Sequence, residues 1–375
     1  MSAATMSYRL AHAAMSSKQS GVGAYDTAER RWAGVGPYYA MFPASFADRV
    51  IENYSDVGDM VLDPFAGRGT ALFSAAVQGR VGIGIEVNPV GWVYAQAKLH
   101  TAEESDVRER LRSVARASWR FRAEAERLPI FYKHCFSPRV RTFLLAARAM
   151  LNWRQCSIDW TTSALLMVNM HGKREASLSN QMRQTKAMSP QYAVAWWRRQ
   201  KFRPPNLDPL EFMEDRLAWR YARGRPRLRG SRVYLGDSVG RLPTLREKIR
   251  ARLLFTSPPY CGVTNSTMTS GSAFGCWAVH QNRVARVAHH KDGFVTAQST
   301  SSFFRLSLKR RNNSSWKMQL FTCVPTNVCS PTRSLGGFSA KFFRKNGCKL
   351  SPSRSLNRRK RVCLANLRKI QAKSI

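Results

Sequence analysis

The sequence predicts an α/β fold built around a βαβ sheet, and three stretches carry this prediction. Residues 59–99 alternate between short apolar runs and helical text, with a glycine-rich loop after the first run. Two later stretches, VYLGDS (233–238) and ARLLFTSPPY (251–260), have the apolar character of buried strands with polar ends. Strands that alternate with helices are typical of this class. At 375 residues the chain is long enough for one large domain or two smaller ones.

The predicted elements follow in chain order. They are an amphipathic helix from about Pro43, a strand at Met60–Leu62, a helix at Thr70–Gln78, a strand at Val81–Ile85, a helix at about 91–100, and strands within 233–238 and 251–260. Residues 101–230 are basic and rich in Glu, Arg, Ala and Leu, which predicts a helical insert. The chain therefore divides into a polar lead-in (1–33), a first half of the sheet (34–100), the insert (101–230), a last strand region (231–265) and a basic tail (266–375).

The composition indicates an intracellular protein with a polyanionic partner. The formal net charge is +38, which is unusual for a metabolic enzyme and favours nucleic acid as the partner. No stretch of about 18 apolar residues occurs, so neither a membrane span nor a membrane partner is expected. The N-terminus lacks the apolar core of a secretory signal, which favours the cytoplasm. The 8 cysteines include no C-x-x-C pair, so neither a metal site nor a disulfide framework is expected.

The stretch DPFAGRGT (63–70) places glycines between a strand and a helix, where the backbone must pass close to a bound molecule. A dinucleotide fingerprint would need a third glycine at the position of Leu72, and no P-loop lysine follows. Glu86 ends the next strand, where a carboxylate can accept hydrogen bonds from both hydroxyls of a ribose. The alternative interpretation is a tight turn followed by an exposed glutamate.

The stretch TSPPY (256–260) ends the last predicted strand in a stiff, extended turn. Ser257 and the carbonyl of Pro258 can both accept hydrogen bonds from a planar exocyclic amine, and Tyr260 offers a ring on which a flipped base can stack. The alternative interpretation is an ordinary Pro-Pro turn.

Together, DPFAGRGT, GIEVNP (84–89) and TSPPY resemble the DNA methyltransferases that methylate base amino groups with S-adenosylmethionine. AMFPASF (40–46) is similar to the helix motif that covers the methionine end of the cofactor in that family, and VYLGDS to the strand that presents an acid to its adenine. The resemblance covers residues 34–100 and 231–265. It implies a Rossmann-like class I methyltransferase sheet, in which residues 34–100 form the cofactor-binding half.

The resemblance also implies a role for each matching residue. Those for the cofactor are Phe42 in the helix motif, Asp63, Phe65, Gly67, Gly69 and Thr70 along methionine and ribose, Glu86 at the ribose hydroxyls, and Asp237 at the adenine amine. Those for the target base are Ser257, Pro258, Pro259 and Tyr260. A serine at position 257 favours cytosine-N4 over adenine-N6 as the target.

The implied function is site-specific DNA methylation of a prokaryotic modification type, with double-stranded DNA and a cognate restriction enzyme as partners. The oligomeric state is not predicted. Three alternatives stay open: an adenine-N6 DNA or RNA amino-methyltransferase, an inactive basic nucleic-acid-binding remnant, and a different nucleotide-binding enzyme.

The insert contains a stretch that interleaves basic and aromatic residues, SLSNQMRQTKAMSPQYAVAWWRRQKFRPP (177–205). Basic residues suit phosphates and aromatic residues suit bases, so this stretch is a candidate for DNA contact. The alternative is a helix with its tryptophans in the core and its charges solvated. His171 and Cys156 have no partner at metal-ligand spacing, and we expect both to be structural.

The tail has an unusual charge balance. Of the 61 Lys and Arg and the 23 Asp and Glu, residues 266–375 hold 21 bases and one acid, Asp292, which leaves 40 and 22 for residues 1–265. Three interpretations compete: a disordered basic arm that clamps DNA, a folded region without clear pattern, and a correct gene read in a shifted frame.

A one-base shift of frame restores features that the tail lacks. Joining the last base of each codon to the first two of the next turns Met268-Thr269 into Asp and Trp277-Ala278 into Gly. Between Trp316 and Thr326 the same shift permits acidic residues and the strand-like text T-V-Y-V-R-T. We therefore expect a frameshift near residue 265, which would leave the sheet incomplete at its C-terminal end and the chain inactive.

Overall fold

The computed structural model describes residues 25–36, 42–182, 189–245 and 250–257, together with the backbone of two strands at 319–323 and 339–343. The elements named below all lie within these ranges.

The centre of the molecule is a parallel sheet, in which six strands are described. Their bounds are β1 Met60–Asp63, β2 Val81–Glu86, β3 Arg232–Leu235, β4 Leu253–Thr256, β5 Gln319–Cys323 and β6 Ser339–Phe343. The spatial order is β3-β2-β1-β4-β5-β6, and every neighbouring pair is parallel. Strands β1 and β2 are each one residue longer than the sequence predicts, because the ladder continues through Asp63, opposite Gly84, and Glu86, opposite Leu235. Both carboxylates therefore belong to strand ends.

Helices cover both faces of this sheet, which confirms the α/β class. The helices outside the insert are α1 Ala28–Ala33, α2 Ala44–Tyr54, α3 Thr70–Val77, α4 Pro89–Leu99 and, after β3, α12 Ser238–Leu245. On one face, α2 and α3 pack against the side chains of Val61, Leu253 and Phe255. On the other face, α12 packs against Leu62 and Leu254. Successive side chains of β1 and β4 point to opposite faces of the sheet, and both faces are buried by helices.

The insert is helical, as the sequence predicts. Its helices are α5 Glu104–Ala117, a 3₁₀ turn at Ser118–Phe121, α6 Arg122–Arg127, α7 Ile130–Cys135, α8 Pro138–Met150, α9 Ser157–Met170, α10 Pro190–Arg199 and α11 Pro209–Tyr221. Its apolar residues join α3, α4 and β3 in one buried cluster. Trp92 of α4 connects the sheet to the insert. Its indole N–H donates to the carbonyl of Val233 in β3 at 3.0 Å, and its ring centroid lies 5.7 Å from that of Trp160 in α9.

Strands β5 and β6 belong to the basic tail. Residues Gln319–Cys323 pair with β4, with Leu253 opposite Gln319, and Ser339–Phe343 pair with β5. Apart from these two strands, the tail lies outside the described residues. The disordered arm and the shifted frame therefore stay predictions. Among the described helices, none has the length and apolar character that would be required to cross a bilayer.

Close packing of α3 on β2 generates a prediction about stability. A Cβ built on Gly82 would lie 2.7 Å from the backbone Cα and carbonyl oxygen of Leu72, a distance that side chains do not tolerate. We expect Gly82→Ala to lower the free energy of unfolding by about 1–3 kcal/mol, because the helix must move off the strand. Urea unfolding followed by circular dichroism measures the change.

The matched control for this substitution is Gly240→Ala in α12, where a Cβ meets nothing within 4 Å. Because alanine restricts the unfolded chain more than glycine does, this variant should be neutral or more stable by up to about 1 kcal/mol. Equal effects of the two substitutions would contradict the close contact.

Candidate functional site

The carboxyl ends of β1 to β4 form one edge of the sheet, and this edge gathers the predicted site residues. The chain leaves β1 toward β2 and later returns to the other side of β1 as β4, so the strand order reverses between β1 and β4. In open α/β sheets a ligand crevice lies outside the carboxyl ends at such a reversal. Asp63, Glu86 and Thr256 end β1, β2 and β4, and Asp237 follows β3 by two residues.

Asp63 connects the two strands on either side of the reversal. Its carboxylate accepts a hydrogen bond from the hydroxyl of Thr256 at 2.6 Å and one from the backbone N–H of Phe65 at 3.1 Å. Burial raises the pKa of Asp63 to about 6, while these two hydrogen bonds oppose the rise. The residue is 2% exposed. In this structure it fixes the start of the glycine loop against β4.

The loop itself needs glycine at two positions. Gly67 and Gly69 have φ angles of +54° and +72°, a region that side chains avoid. A Cβ at Gly69 would also lie 2.8 Å from the Cβ of Ala95. Of the loop residues, Phe65, Gly67 and Thr70 are partly exposed, so they are the positions that a ligand at this edge could reach.

Glu86 holds the loop from the neighbouring strand. One carboxylate oxygen accepts from the N–H of Gly67 at 2.6 Å and the other from the N–H of Asn88 at 2.7 Å. Burial raises the pKa of Glu86 to about 7, against the effect of both hydrogen bonds. The backbone N–H of Val87 also bonds to this carboxylate, so of its roughly four acceptor positions about one remains. Held in this way, the carboxylate can still accept from a hydroxyl such as one of a ribose.

The end of β3 is tied to the same two segments. The N–H of Gly236 donates to the carbonyl of Glu86 at 3.0 Å, and the hydroxyl of Ser238 donates to the carbonyl of Pro64. Between them, Asp237 is exposed and accepts from the N–H of Val239 at 3.3 Å. Its carboxylate is therefore available at the edge for an exocyclic amine, which is the role that the sequence predicts for it.

The remaining predicted residues lie beside β4. Phe42 is partly buried, and its ring lies 4.9 Å from that of Phe255. Ser257 follows β4 directly and is partly buried. Pro258, Pro259 and Tyr260 lie outside the described residues. The structure therefore brings all described site candidates to one edge, and Ser257, the first residue of the tetrapeptide predicted to bind the base, lies there.

Arg68 is a residue at this edge that the sequence analysis did not identify. It is 8% exposed, and its guanidinium donates to the carbonyl of Gly36 at 3.0 Å and to the hydroxyl of Thr70 at 3.2 Å. Burial lowers its pKa to about 10. Arg68 therefore attaches the segment that precedes Phe42 to the glycine loop. An arginine between two loop glycines is the only local signal of this contact.

In the insert, the aromatic residues proposed for DNA contact separate into core and surface. Trp197 is completely buried against Phe131, with ring centroids 5.8 Å apart, so it cannot stack on a base. Trp196 is partly buried, whereas Tyr192 is 55% exposed. For Trp197 the alternative interpretation, a tryptophan in the core, is the one that the structure supports.

His171 is part of the interior of the insert. Burial lowers its pKa to about 4, and its Nδ1 lies 3.2 Å from the hydroxyl of Ser179. Within the described part of the chain, no three His, Cys, Asp or Glu residues are arranged to hold a metal ion.

Comparison with known proteins finds similarity over part of the chain. Residues 9–92 match the family model described as DNA methylase, of the N6/N4 type. M.MjaII, a type II methyltransferase from Methanocaldococcus jannaschii, is 33% identical over 66 residues, which are 18% of this chain and 12% of that protein. M.MthZI from Methanothermobacter thermautotrophicus is 49% identical over 49 residues, 13% of this chain and 14% of its own.

A third relative, the type II methyltransferase M.ScaI from Streptomyces caespitosus, is 44% identical over 48 residues, 13% of this chain and 16% of its own. The matched segments thus span 12% to 16% of these curated relatives. The similarity is therefore confined to a short part of each relative.

The raised pKa of Glu86 generates a prediction about pH. A carboxyl group with a pKa above its unfolded value binds more protons in the folded state, so stability falls as pH rises through that interval. Titration of Asp63 lowers the stability as pH rises to about 6, and titration of Glu86 lowers it as pH rises to about 7. Between pH 6 and 7.5 we expect the free energy of unfolding to fall, by at most about 1.4 kcal/mol per pH unit.

Glu86→Gln should flatten this interval, because it removes the group that titrates there. Urea unfolding at closely spaced pH values measures the slope. Glu52→Gln, at an exposed position on α2, is the control and should keep the wild-type slope. A slope in Glu86→Gln as steep as in the wild type would assign the titration to another group.

Proposed function

We propose that this chain transfers a methyl group to an exocyclic amine of a DNA base, a function that the match of residues 9–92 to the DNA methylase family and the similarity to type II methyltransferases support. One observation carries the proposal. The carboxyl ends of four parallel strands bring Asp63, Glu86 and Asp237 to the same edge as Ser257, the first residue of SPPY. The residues proposed for a nucleoside cofactor and the first residue proposed for a base amine would thus be adjacent.

The cofactor that fits these residues is S-adenosylmethionine. Glu86 would accept from a ribose hydroxyl and Asp237 from the adenine amine, and both carboxylates have acceptor capacity left for this. Phe65, Gly67 and Thr70, the partly exposed loop positions, would border ribose and methionine, beneath the segment that contains Phe42. When bound, the cofactor supplies an electrophilic methyl group on a sulfonium.

The chain's own residues would bind and orient the target amine. Ser257 and the carbonyl of Pro258 would accept hydrogen bonds from its N–H groups, which directs the nitrogen lone pair away from the strand end. Tyr260 would stack on the base after it leaves the helix. Since the reaction needs alignment of two groups in a site that excludes water, most of the rate enhancement would come from positioning.

The preferred target is the N4 amine of cytosine, with the N6 amine of adenine as the second candidate. The support for cytosine is the serine at position 257, in the first place of the tetrapeptide. Double-stranded DNA is the proposed substrate. Because the relatives are type II methyltransferases, we also propose a role in restriction-modification, beside a cognate restriction enzyme.

We also propose that the coding frame is shifted near residue 265. The support is the contrast between 22 acids in residues 1–265 and one acid in residues 266–375. Sequencing of the coding DNA across codons 255–280 tests this, and the expected result is one base missing or extra. An intact frame would contradict the proposal and make the tail a genuine basic segment.

The function is tested with two variants whose effects should differ. Tyr260→Ala should reduce methyl transfer to DNA at least about a hundredfold, since positioning is lost, while S-adenosylmethionine still binds. Glu86→Ala should weaken S-adenosylmethionine binding itself, by about tenfold or more, because the proposed acceptor for the ribose and the anchor of the glycine loop are both removed. Calorimetric titration measures binding, and incorporation of tritiated methyl groups into DNA measures transfer.

These measurements are made on the protein encoded by the frame that sequencing establishes. Equal loss of cofactor binding in both variants would contradict the base-stacking role of Tyr260. An unchanged dissociation constant in Glu86→Ala would remove Glu86 from the cofactor site. A wild-type protein that binds no S-adenosylmethionine would contradict the proposed function as a whole.

A further inference from the structure

We propose that one surface of the insert binds the phosphate backbone of the DNA, an inference that rests on the proposed function. This surface, which we call the basic ridge, is formed by Lys133, His134, Arg174, Arg198, Arg199 and Lys201.

Three chain segments that are distant in sequence meet at the ridge. Helices α7 and α10 pack together through Phe131 and Trp197, and at their surface the Nε of Arg198 lies 3.4 Å from the Nε2 of His134. The guanidinium of Arg174, in the loop after α9, lies 5.2 Å from the ring centre of Phe202, just past α10. Folding thus adds cations from two further segments to those at the end of α10.

The pairing of charges distinguishes the ridge from much of the insert. Elsewhere on the insert, many arginines face carboxylates, as in Arg110–Asp159 at 2.7 Å and Arg116–Glu109 at 2.6 Å. Further pairs of this kind are Arg108–Glu104, Arg112–Glu214, Arg139–Asp208 and Arg141–Glu126. These pairs neutralise much of the positive charge there from within the protein.

On the ridge, one such pair occurs among the described residues, Arg174–Glu175 at 3.3 Å. No carboxylate of the described residues is within ion-pair distance of Lys133, Arg198, Arg199 or Lys201. The sequence supports this, because residues 176–207 contain no Asp or Glu. The ridge is therefore a region of positive potential with little internal counter-charge, which is the property that attracts a polyanion.

The ridge fits nucleic acid better than an acidic protein. Tyr192 lies on the same helix as Arg198 and is 55% exposed, so a π-face accompanies the cations. Lys and Arg next to an exposed aromatic ring form the combination that suits phosphates and bases together. Both Arg198 and Arg199 stand in the last turn of α10, where the helix dipole favours cations and so costs the protein little to place them.

The test compares two triple variants of the full-length protein in which the same number of positive charges is removed. The ridge variant carries Arg198→Gln, Arg199→Gln and Lys201→Gln. The control variant carries Arg30→Gln, Arg112→Gln and Arg116→Gln, three exposed arginines that are paired with carboxylates. Fluorescence anisotropy with a labelled double-stranded DNA, at several salt concentrations, gives the dissociation constant and its salt dependence.

We expect the ridge variant to bind DNA at least about tenfold more weakly. Its slope of log K against log salt should shrink by about 0.9 for each phosphate that the protein no longer neutralises. The control variant should change the dissociation constant less than about twofold, because its arginines are already neutralised by paired carboxylates. Circular dichroism and urea unfolding establish that both variants are folded.

Equal behaviour of the two variants would overturn the ridge proposal, and so would a wild-type protein that binds no DNA. Poly-glutamate serves as a second probe, and ridge-dependent binding of poly-glutamate in preference to DNA would replace DNA by an acidic protein partner. Calorimetric titration with S-adenosylmethionine separates the two proposals. Ridge-dependent DNA binding without cofactor binding would keep the ridge and overturn the methyltransferase function.

Discussion

The carboxylate of Glu86 is the interaction on which the candidate site depends. Its two oxygens accept from Gly67 in the glycine loop and from Asn88 at the start of α4, and the carbonyl of the same residue accepts from Gly236 after β3. One side chain and its backbone thus join the ends of β2 and β3 to the loop that follows β1. Burial of this carboxylate disfavours its charged form, and the raised pKa of Glu86 is the result.

The second constraint is the reversal of strand order at β1. Strand β4 can lie beside β1 only after the chain has built β2, α4, the whole insert and β3. The hydrogen bond from Thr256 to Asp63 joins the ends of β4 and β1 across this long stretch of chain. It holds Ser257, the first residue of the tetrapeptide proposed for base binding, next to the glycine loop. The two halves of the proposed reaction, cofactor and base, are in this way joined by a contact between residues far apart in the chain.

Sequence alone predicted strands β1 to β4, because apolar runs bounded by glycine and polar residues are local signals, but it did not predict β5 and β6 in the tail. The predicted bounds of β1 and β2 were each one residue short, since the pairing that extends each strand comes from a neighbour and is not visible locally. Arg68 was missed for the same reason, as its acceptor Gly36 lies in another segment. Trp197 could have been assigned to the core, because Ala193, Val194 and Trp197 share one face of a helical period and all three are buried.

The position of Trp92 has a consequence for how such proteins can be recombined. Its indole bonds to the backbone of β3 while its ring packs on Trp160 of the insert, so sheet and insert share a single interior. An insert from a relative could not be grafted here as a self-contained module, because its interior surface would have to match these rings. Changes to the proposed DNA contact can instead be confined to the outer surface of α7 and α10, where exposed side chains such as Arg198 and Arg199 lie outside this shared interior.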